Sequence, residues 1–316
     1  MQGLVKDLAT LLGPTQILSQ PEEMLAYAND ATHYFKSRIP DAVVLPHTTE
    51  EVAKIMKYAF AKQIPVTPRG AGSGLAGGCT PVHGGIVMDL KRLNQIIEID
   101  GSNMTARVET GVVLKRFQDT VEKRKLFYPP DPQSGSVCTI GGNVATRAGG
   151  PRGVKYGTTG NYVTGLEVVL PDGSIITPGG KFVKQSVGYD ITHLMTGSEG
   201  TLGVITGVNL RLLPLPEANR TVVVVCETVE QAAEIVAEIT GRGAVPAMHG
   251  LAAIFRRTEE DAIAHSGLVG GTGDVDVSQA LEHGLKAFRV AERMPGAHEC
   301  PIEFCSPTPR GYGAAR

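Results

Sequence analysis

Pro68-Arg69-Gly70-Ala71-Gly72-Ser73-Gly74-Leu75-Ala76-Gly77-Gly78 is a stretch almost without side chains, and it constrains this chain more than any other. Glycines accept φ > 0 and carry no Cβ to hold a ligand off, so their backbone N–H groups can close around a large anion. A second glycine-rich stretch, Thr139-Ile140-Gly141-Gly142-Asn143-Val144-Ala145-Thr146-Arg147-Ala148-Gly149-Gly150, lies well downstream. Two such cradles in one chain point to a long, two-ended cofactor.

The letters Gly72-Ser73-Gly74-Leu75-Ala76-Gly77 match G-x-G-x-x-G, but that fingerprint needs a helix to follow, whose N-terminus holds a pyrophosphate. Here Gly78-Cys79-Thr80-Pro81-Val82-His83-Gly84-Gly85 follows, which does not make a helix, so the Rossmann reading fails on context. A P-loop fails as well, because no Gly-Lys-Ser/Thr follows. Taken alone, the first stretch also fits a plain surface loop. The second stretch weighs against that. Pro129-Pro130-Asp131-Pro132 is stiff and extended, and the chain then reaches Thr139–Asn143, where a short helix could open with free N–H groups toward a phosphate or a ring carbonyl. A third element, Thr196-Gly197-Ser198-Glu199-Gly200-Thr201-Leu202-Gly203-Val204-Ile205-Thr206, reads as a turn giving way to a strand, with a bulge at Gly200 or Gly203.

The chain of 316 residues is 42% hydrophobic and 20% charged with net charge −2, which allows two globular domains and argues against a nucleic-acid partner. Cys79, Cys138, Cys226, Cys300 and Cys305 are odd in number and scattered, so no disulfide framework is expected, and no metal site. Met1–Asp7 has neither a signal-peptide nor a transit-peptide pattern, and no apolar run nears the ~20 residues of a membrane span. A cytoplasmic location follows, with peripheral attachment at the inner membrane through a partner as a variant.

Periodicity divides the chain into a helical segment over 1–40, a main domain over 41–216, a β-α unit over 217–247 and a tail over 248–316. Ala42–Pro46 and Pro65–Thr67 read as short strands, and Thr48 with Glu51 forms a capping box. Ile86–Leu90, Gln95–Ile99 and Thr105–Thr110 are strand-like, and Val112–Arg124 is an amphipathic helix. Val163–Leu170, Pro171-Asp172-Gly173 and Ser174–Thr177 form a hairpin signal, and Thr201–Leu213 alternates as a strand. Beyond Pro214 and Pro216, Thr221–Cys226 reads as a strand and Thr228 with Gln231 caps a helix. After about Pro246 the periodicity degrades, and poor order is expected.

Together the three segments resemble the FAD-binding domain of the vanillyl-alcohol oxidase/p-cresol methylhydroxylase type, in the branch of the glycolate oxidase large (D) subunit, D-lactate dehydrogenase and D-2-hydroxyglutarate dehydrogenase. The resemblance is carried by Pro68–Gly78, Pro130-Asp131-Pro132, Thr139–Thr146, Gly149–Gly157 and Gly197–Gly203, and is strong over about 41–216. It implies an α+β, two-subdomain FAD-binding domain followed by the start of an α+β cap domain. It also implies cofactor contacts at Pro68, Arg69, Gly70, Ala71, Gly72, Ser73, Gly74, Leu75 and Gly78 on the pyrophosphate. Pro130, Asp131, Thr139, Ile140, Gly141, Gly142, Asn143, Ala145, Thr146, Gly149, Gly150 and Gly157, with Glu199, Gly200, Gly203, Val204 and Ile205, would line flavin and adenosine. Some members attach FAD through a histidine in the first loop. Ser73 holds that place here, so the resemblance implies noncovalent FAD.

The implied reaction takes a hydride from the α-carbon of a small 2-hydroxy acid to the flavin and leaves a 2-oxo acid, with electrons passing on to an iron–sulfur or quinone-linked subunit. In this family the cap supplies arginine for the carboxylate and, in several members, a histidine-rich metal motif. Neither is recognisable here. Gly271-Thr272-Gly273-Asp274-Val275-Asp276 lacks the histidines, and Glu282-His283-Gly284 sits too early, so the catalytic residues stay unassigned. The cap departs from the family pattern by about Met248, which points to a truncated, frame-shifted or divergent C-terminal part. An FAD-binding chain without chemistry of its own, and a reductase of cell-wall precursor synthesis with a related FAD domain, stand as alternatives.

Overall fold

The computed structural model describes residues 2–247 except 33, 183, 220–223 and 225–227. Two compact units emerge, Met1–Pro216 and Glu217–Arg316.

In the first unit a small sheet is built from β1 (Ile17–Leu18), β2 (Ala42–Val44), β3 (Val66–Arg69) and β4 (Ile86–Asp89) in the order β1-β2-β4-β3. β4 runs parallel to both β2 and β3, and β1 is antiparallel to β2. Strands β2 and β4 are buried throughout, as expected of parallel strands covered on both faces. One cover is α3 (Thr49–Lys62), which turns Val52, Ile55, Met56 and Ala59 inward. The Thr48 hydroxyl accepts from the Glu51 N–H at 3.2 Å, as the capping box requires. The reciprocal arm differs. The Glu51 carboxylate accepts from the His47 N–H and from Gln16 Nε2, each at 2.7 Å, and so ties the helix to the segment before β1. Two short helices, α1 (Gln2–Leu11) and α2 (Pro21–Met24), complete the N-terminal region. This region is not wholly helical, because β1 finds a partner in β2, a long-range pairing invisible to local periodicity.

The second sheet is antiparallel, β5 (Ile96–Asp100), β6 (Thr105–Glu109), β10 (Val204–Arg211), β8 (Val163–Val169) and β9 (Ile175–Ile176), in that order. The β8–β9 pairing bears out the hairpin signal at Pro171-Asp172-Gly173. Packed with it are α4 (Leu114–Glu122), α5 (Ile140–Ala145), α6 (Gly153–Tyr156) and α7 (Ile191–Met195). The amphipathic helix starts at Leu114 rather than Val112, because Val113 bridges Thr139 and the Leu114 N–H donates to the Cys138 carbonyl. Its Phe117 is fully buried and meets Tyr128 edge-on at 5.2 Å; burial of one such ring contributes about 2–3 kcal/mol. The strand expected over Thr201–Leu213 divides. β10 ends at Arg211, and Leu213–Pro214 forms β11, which pairs with β7 (Leu126–Phe127). Val169 and Val204 reach from the second sheet into the core beneath α3 and join the two halves of this unit.

In the second unit the described part holds α8 (Val229–Gly241), capped by the Thr228 hydroxyl on the Gln231 N–H at 3.2 Å. The strand expected over Thr221–Cys226 falls almost entirely outside the described residues, as do the tail from 248, Cys300, Cys305 and His283. No described helix is long and apolar enough to cross a membrane.

Candidate functional site

β3 ends at Arg69 and delivers the chain into the glycine loop, where the main-chain groups have little to bind within the protein. Among the described residues, the N–H groups of Ala71 through Cys79 donate to no protein acceptor. A run of free N–H groups in one loop is an anion cradle waiting for a ligand.

The three sequence segments meet there through glycines. A Cβ on Gly70 would stand 2.5 Å from Thr139 Oγ1, so the first loop rests on the N-cap of α5. A Cβ on Gly200 would stand 3.1 Å from Pro68 Cγ, so the third segment rests on the start of the first. Glu199 adopts φ 53°, and its N–H reaches the Ala145 carbonyl at 2.9 Å, which closes the triangle.

Between them lies a cleft of about 320 Å³, lined by Pro68, Arg69, Gly70, Ala71, Gly72, Ser73, Gly74, Leu75 and Gly78. Its other walls include Thr139, Gly141, Gly142, Asn143, Ala145 and Thr146, with Glu199, Gly200, Gly203 and Ile205. A second hollow shares Ser73, Leu75, Pro132 and Ser134 with the first and adds Gly149 and Gly150, so the two adjoin.

Five of the expected contacts lie elsewhere. Ile140 and Val204 are core side chains at 0% and 1% exposure, because helix and strand periodicity turns them inward. Pro130 is buried, and its carbonyl accepts from Gln118 Nε2 at 2.9 Å. Asp131 faces Arg152 in an ion pair of 3.0 Å and supports the Gly150 turn from behind. Gly157, at φ 74°, ends α6 against the Asn161 side chain. Conversely, Asp30, Thr110 and Cys138 line the cleft without a sequence signal, since each is an unremarkable residue that only the folded chain brings there.

Two roles change. The N-terminus of α5 does not offer open donors. Ile140 N–H goes to the Val112 carbonyl at 2.8 Å, Gly141 N–H to Thr110 at 2.7 Å and Gly142 N–H to Thr139 Oγ1 at 3.3 Å. The donor α5 does present is a side chain. Asn143 is 4% exposed, lines the cleft and has an amide nitrogen with no hydrogen-bond partner. It lies beside the Cys138 thiol, a weak acceptor whose pKa burial pushes up against the pull of Asn143. An unpaired buried amide costs about 1–3 kcal/mol, so a ligand acceptor here would be rewarded. Arg69, the second change, spends its fork on the protein: Nη1 donates to the Asn29 carbonyl at 2.8 Å and Nη2 to Ala26 at 3.1 Å.

A family model described as an FAD binding domain matches residues 40–179. The chain is 43% identical over 242 residues to the glycolate oxidase subunit GlcD of Bacillus subtilis, covering 77% of this chain and 51% of that protein. It is 44% identical over 197 residues to a D-lactate dehydrogenase of Archaeoglobus fulgidus, covering 62% and 44%. The chain thus spans about half the length of the curated relatives it matches. Among solved structures, an alkyldihydroxyacetonephosphate synthase superposes with TM-score 0.68 at 24% identity, over 78% of this chain and 47% of that one. A substrate-bound p-cresol methylhydroxylase superposes with TM-score 0.65 at 24% identity, over 75% and 48%. The free donors of the loop, the orphaned Asn143 amide and the glycine walls suit a flavin dinucleotide. Residues 40–179 thus match an FAD-binding domain, and the fold is of the p-cresol methylhydroxylase type.

Proposed function

We propose that this chain is the FAD-binding portion of a 2-hydroxy acid dehydrogenase or oxidase of the glycolate oxidase type. Residues 41–216 would hold the cofactor, and 217–247 would begin the cap. The observation that carries the reading is the loop Ala71–Cys79, whose N–H groups are unsatisfied by protein and which lines one wall of the cleft. The names of the relatives, glycolate oxidase and D-lactate dehydrogenase, support the substrate class.

In this reading the loop N–H groups hold the pyrophosphate, and the Asn143 amide donates to a polar edge of the ring system or its ribityl chain. Glycines at 70, 141, 142 and 200 let the segments that wall the cleft pack closely on one another. Ser73 offers no histidine for covalent attachment, which supports noncovalent FAD. When bound, the flavin supplies the hydride acceptor. Arg69 is the one basic side chain among the described cleft-lining residues, and its donors are engaged. A cation that holds the substrate carboxylate therefore comes from outside these walls. The same observation supports the second reading, that this chain binds FAD without turning over substrate by itself. Relatives named as subunits support a partner chain; in this reading that partner is an iron–sulfur or quinone-linked electron acceptor, through which a cytoplasmic enzyme meets the inner membrane.

The test is spectroscopic. The purified chain should carry an oxidised flavin spectrum, and anaerobic glycolate or D-lactate should bleach it. Persistent oxidised flavin favours the non-catalytic reading, and a chain that takes up no flavin refutes both.

A further inference from the structure

We propose that residues 26–32 and 34–38, which precede the family-matched segment, form a strap that braces the glycine loop and sets the shape of its anion cradle. The inference rests on the reading of that loop as the pyrophosphate site, and adds to it a structural element outside residues 40–179.

The strap is tied to the loop at four places along its length. At the loop entrance Arg69, 8% exposed, donates to the Ala26 and Asn29 carbonyls, and its guanidinium lies 5.5 Å from the Tyr27 ring centre. Gly72, at φ 68°, sits directly on that guanidinium, where a Cβ would stand 2.9 Å from Nε and nearer still to Cζ and Nη2. At mid-loop the Ala31 N–H donates to the Gly74 carbonyl at 3.1 Å. Further on, the Phe35 ring covers Gly77, where a Cβ would stand 2.5 Å from Cδ2. Beyond the exit Arg38 Nη1 donates to the Val82 carbonyl at 3.1 Å, while its own N–H returns to Ala28. Two arginines thus clasp in opposite senses, Arg69 from loop to strap and Arg38 from strap to loop region.

The physical need is plain. A run of glycines loses more conformational entropy on ordering than any other sequence, and an unbraced cradle would meet that cost at the moment of binding. Charge-assisted hydrogen bonds to carbonyls are stronger than neutral ones, and the Arg69 pair holds the backbone in place beforehand. Because both of its terminal nitrogens serve the strap, Arg69 is a positioning residue rather than a phosphate ligand. Lysine cannot reproduce that fork, although it keeps the charge.

The experiment measures FAD affinity of the full-length chain at several salt concentrations, for wild type, Arg69→Lys and the double variant Phe35→Ala/Arg38→Gln. The double variant changes exposed residues, so it decides the matter should Arg69→Lys fail to fold. The inference expects the double variant to bind FAD roughly tenfold more weakly or worse, with the salt slope and the apo melting temperature unchanged. Arg69→Lys should weaken binding similarly despite its retained charge. Wild-type affinity in the double variant overturns the strap, as does an Arg69→Lys protein that binds FAD like wild type. A wild-type chain that holds no FAD removes the site reading itself, an outcome distinct from either.

Discussion

Gly141 stands so close to Thr110 that a Cβ added to it would lie 2.6 Å from Thr110 Cβ and closer still to Oγ1, while its N–H donates to the Thr110 carbonyl at 2.7 Å. This contact seats α5 on the end of β6 and thereby fixes one wall of the cleft. Gly141→Ala should therefore destabilise the fold by about 1–3 kcal/mol, as overpacking of a closed site does, and should lower the flavin content. Gly74 has nothing within 4 Å of its Cβ position. Gly74→Ala should stay within about 0.5 kcal/mol of wild type in denaturant unfolding. Equal losses for both variants would contradict the packing account.

Asn143 offers a contrast between stability and binding. Asn143→Leu removes an amide that has no partner in the structure, so apo stability should hold or rise slightly. FAD affinity should fall by roughly five- to tenfold for one lost hydrogen bond of about 1 kcal/mol. Titration calorimetry with FAD, paired with apo unfolding curves, reads both quantities.

Tyr27 donates to Asp89 at 2.8 Å, and burial first, then this hydrogen bond, pushes its pKa up to about 12. The neutral phenol is the form that folds, so the folded state holds its proton longer than the unfolded chain. The resulting stability is complete below about pH 10, the ordinary phenol value, and is lost as pH rises toward 12. Thermal unfolding between these limits should show a steeper decline for wild type than for Tyr27→Phe. Parallel curves would mean that Tyr27 is not held as the structure has it.

Asp131 pairs with Arg152, yet burial raises its pKa in spite of the guanidinium. The charge is thus poorly compensated, and stability from this group declines as pH rises through its folded pKa. Asp131→Asn keeps an acceptor for the Arg152 N–H and should change stability at neutral pH by no more than about 0.5 kcal/mol. A loss of several kcal/mol on chemical denaturation would show the pair to be stabilising.

Much of this molecule is legible residue by residue. The α3 cap at Thr48, the β8–β9 hairpin at Asp172-Gly173 and the α8 cap at Thr228 are local events, fixed by neighbours a few positions away. The same holds for the absence of a helix after Gly77, which separates this loop from a Rossmann turn. Local chemistry also shows which stretches lack side chains and so could approach a ligand.

What those stretches do when they meet is a tertiary matter. The sequence determined that Pro68–Gly78 and Thr139–Gly150 are rich in glycine, and, with Glu199–Ile205, these stretches carry the resemblance to an FAD-binding domain. Only the folded structure decided that the α5 N–H groups are consumed by Thr110 and Val112, leaving the first loop as the free donor set. It alone turned Ile140 and Val204 into the core, brought Asp30 to the cleft and set Arg69 against Ala26 and Asn29. The reason is physical: a backbone donor is free or spent according to carbonyls dozens of residues away, and no local pattern records where those carbonyls come to rest.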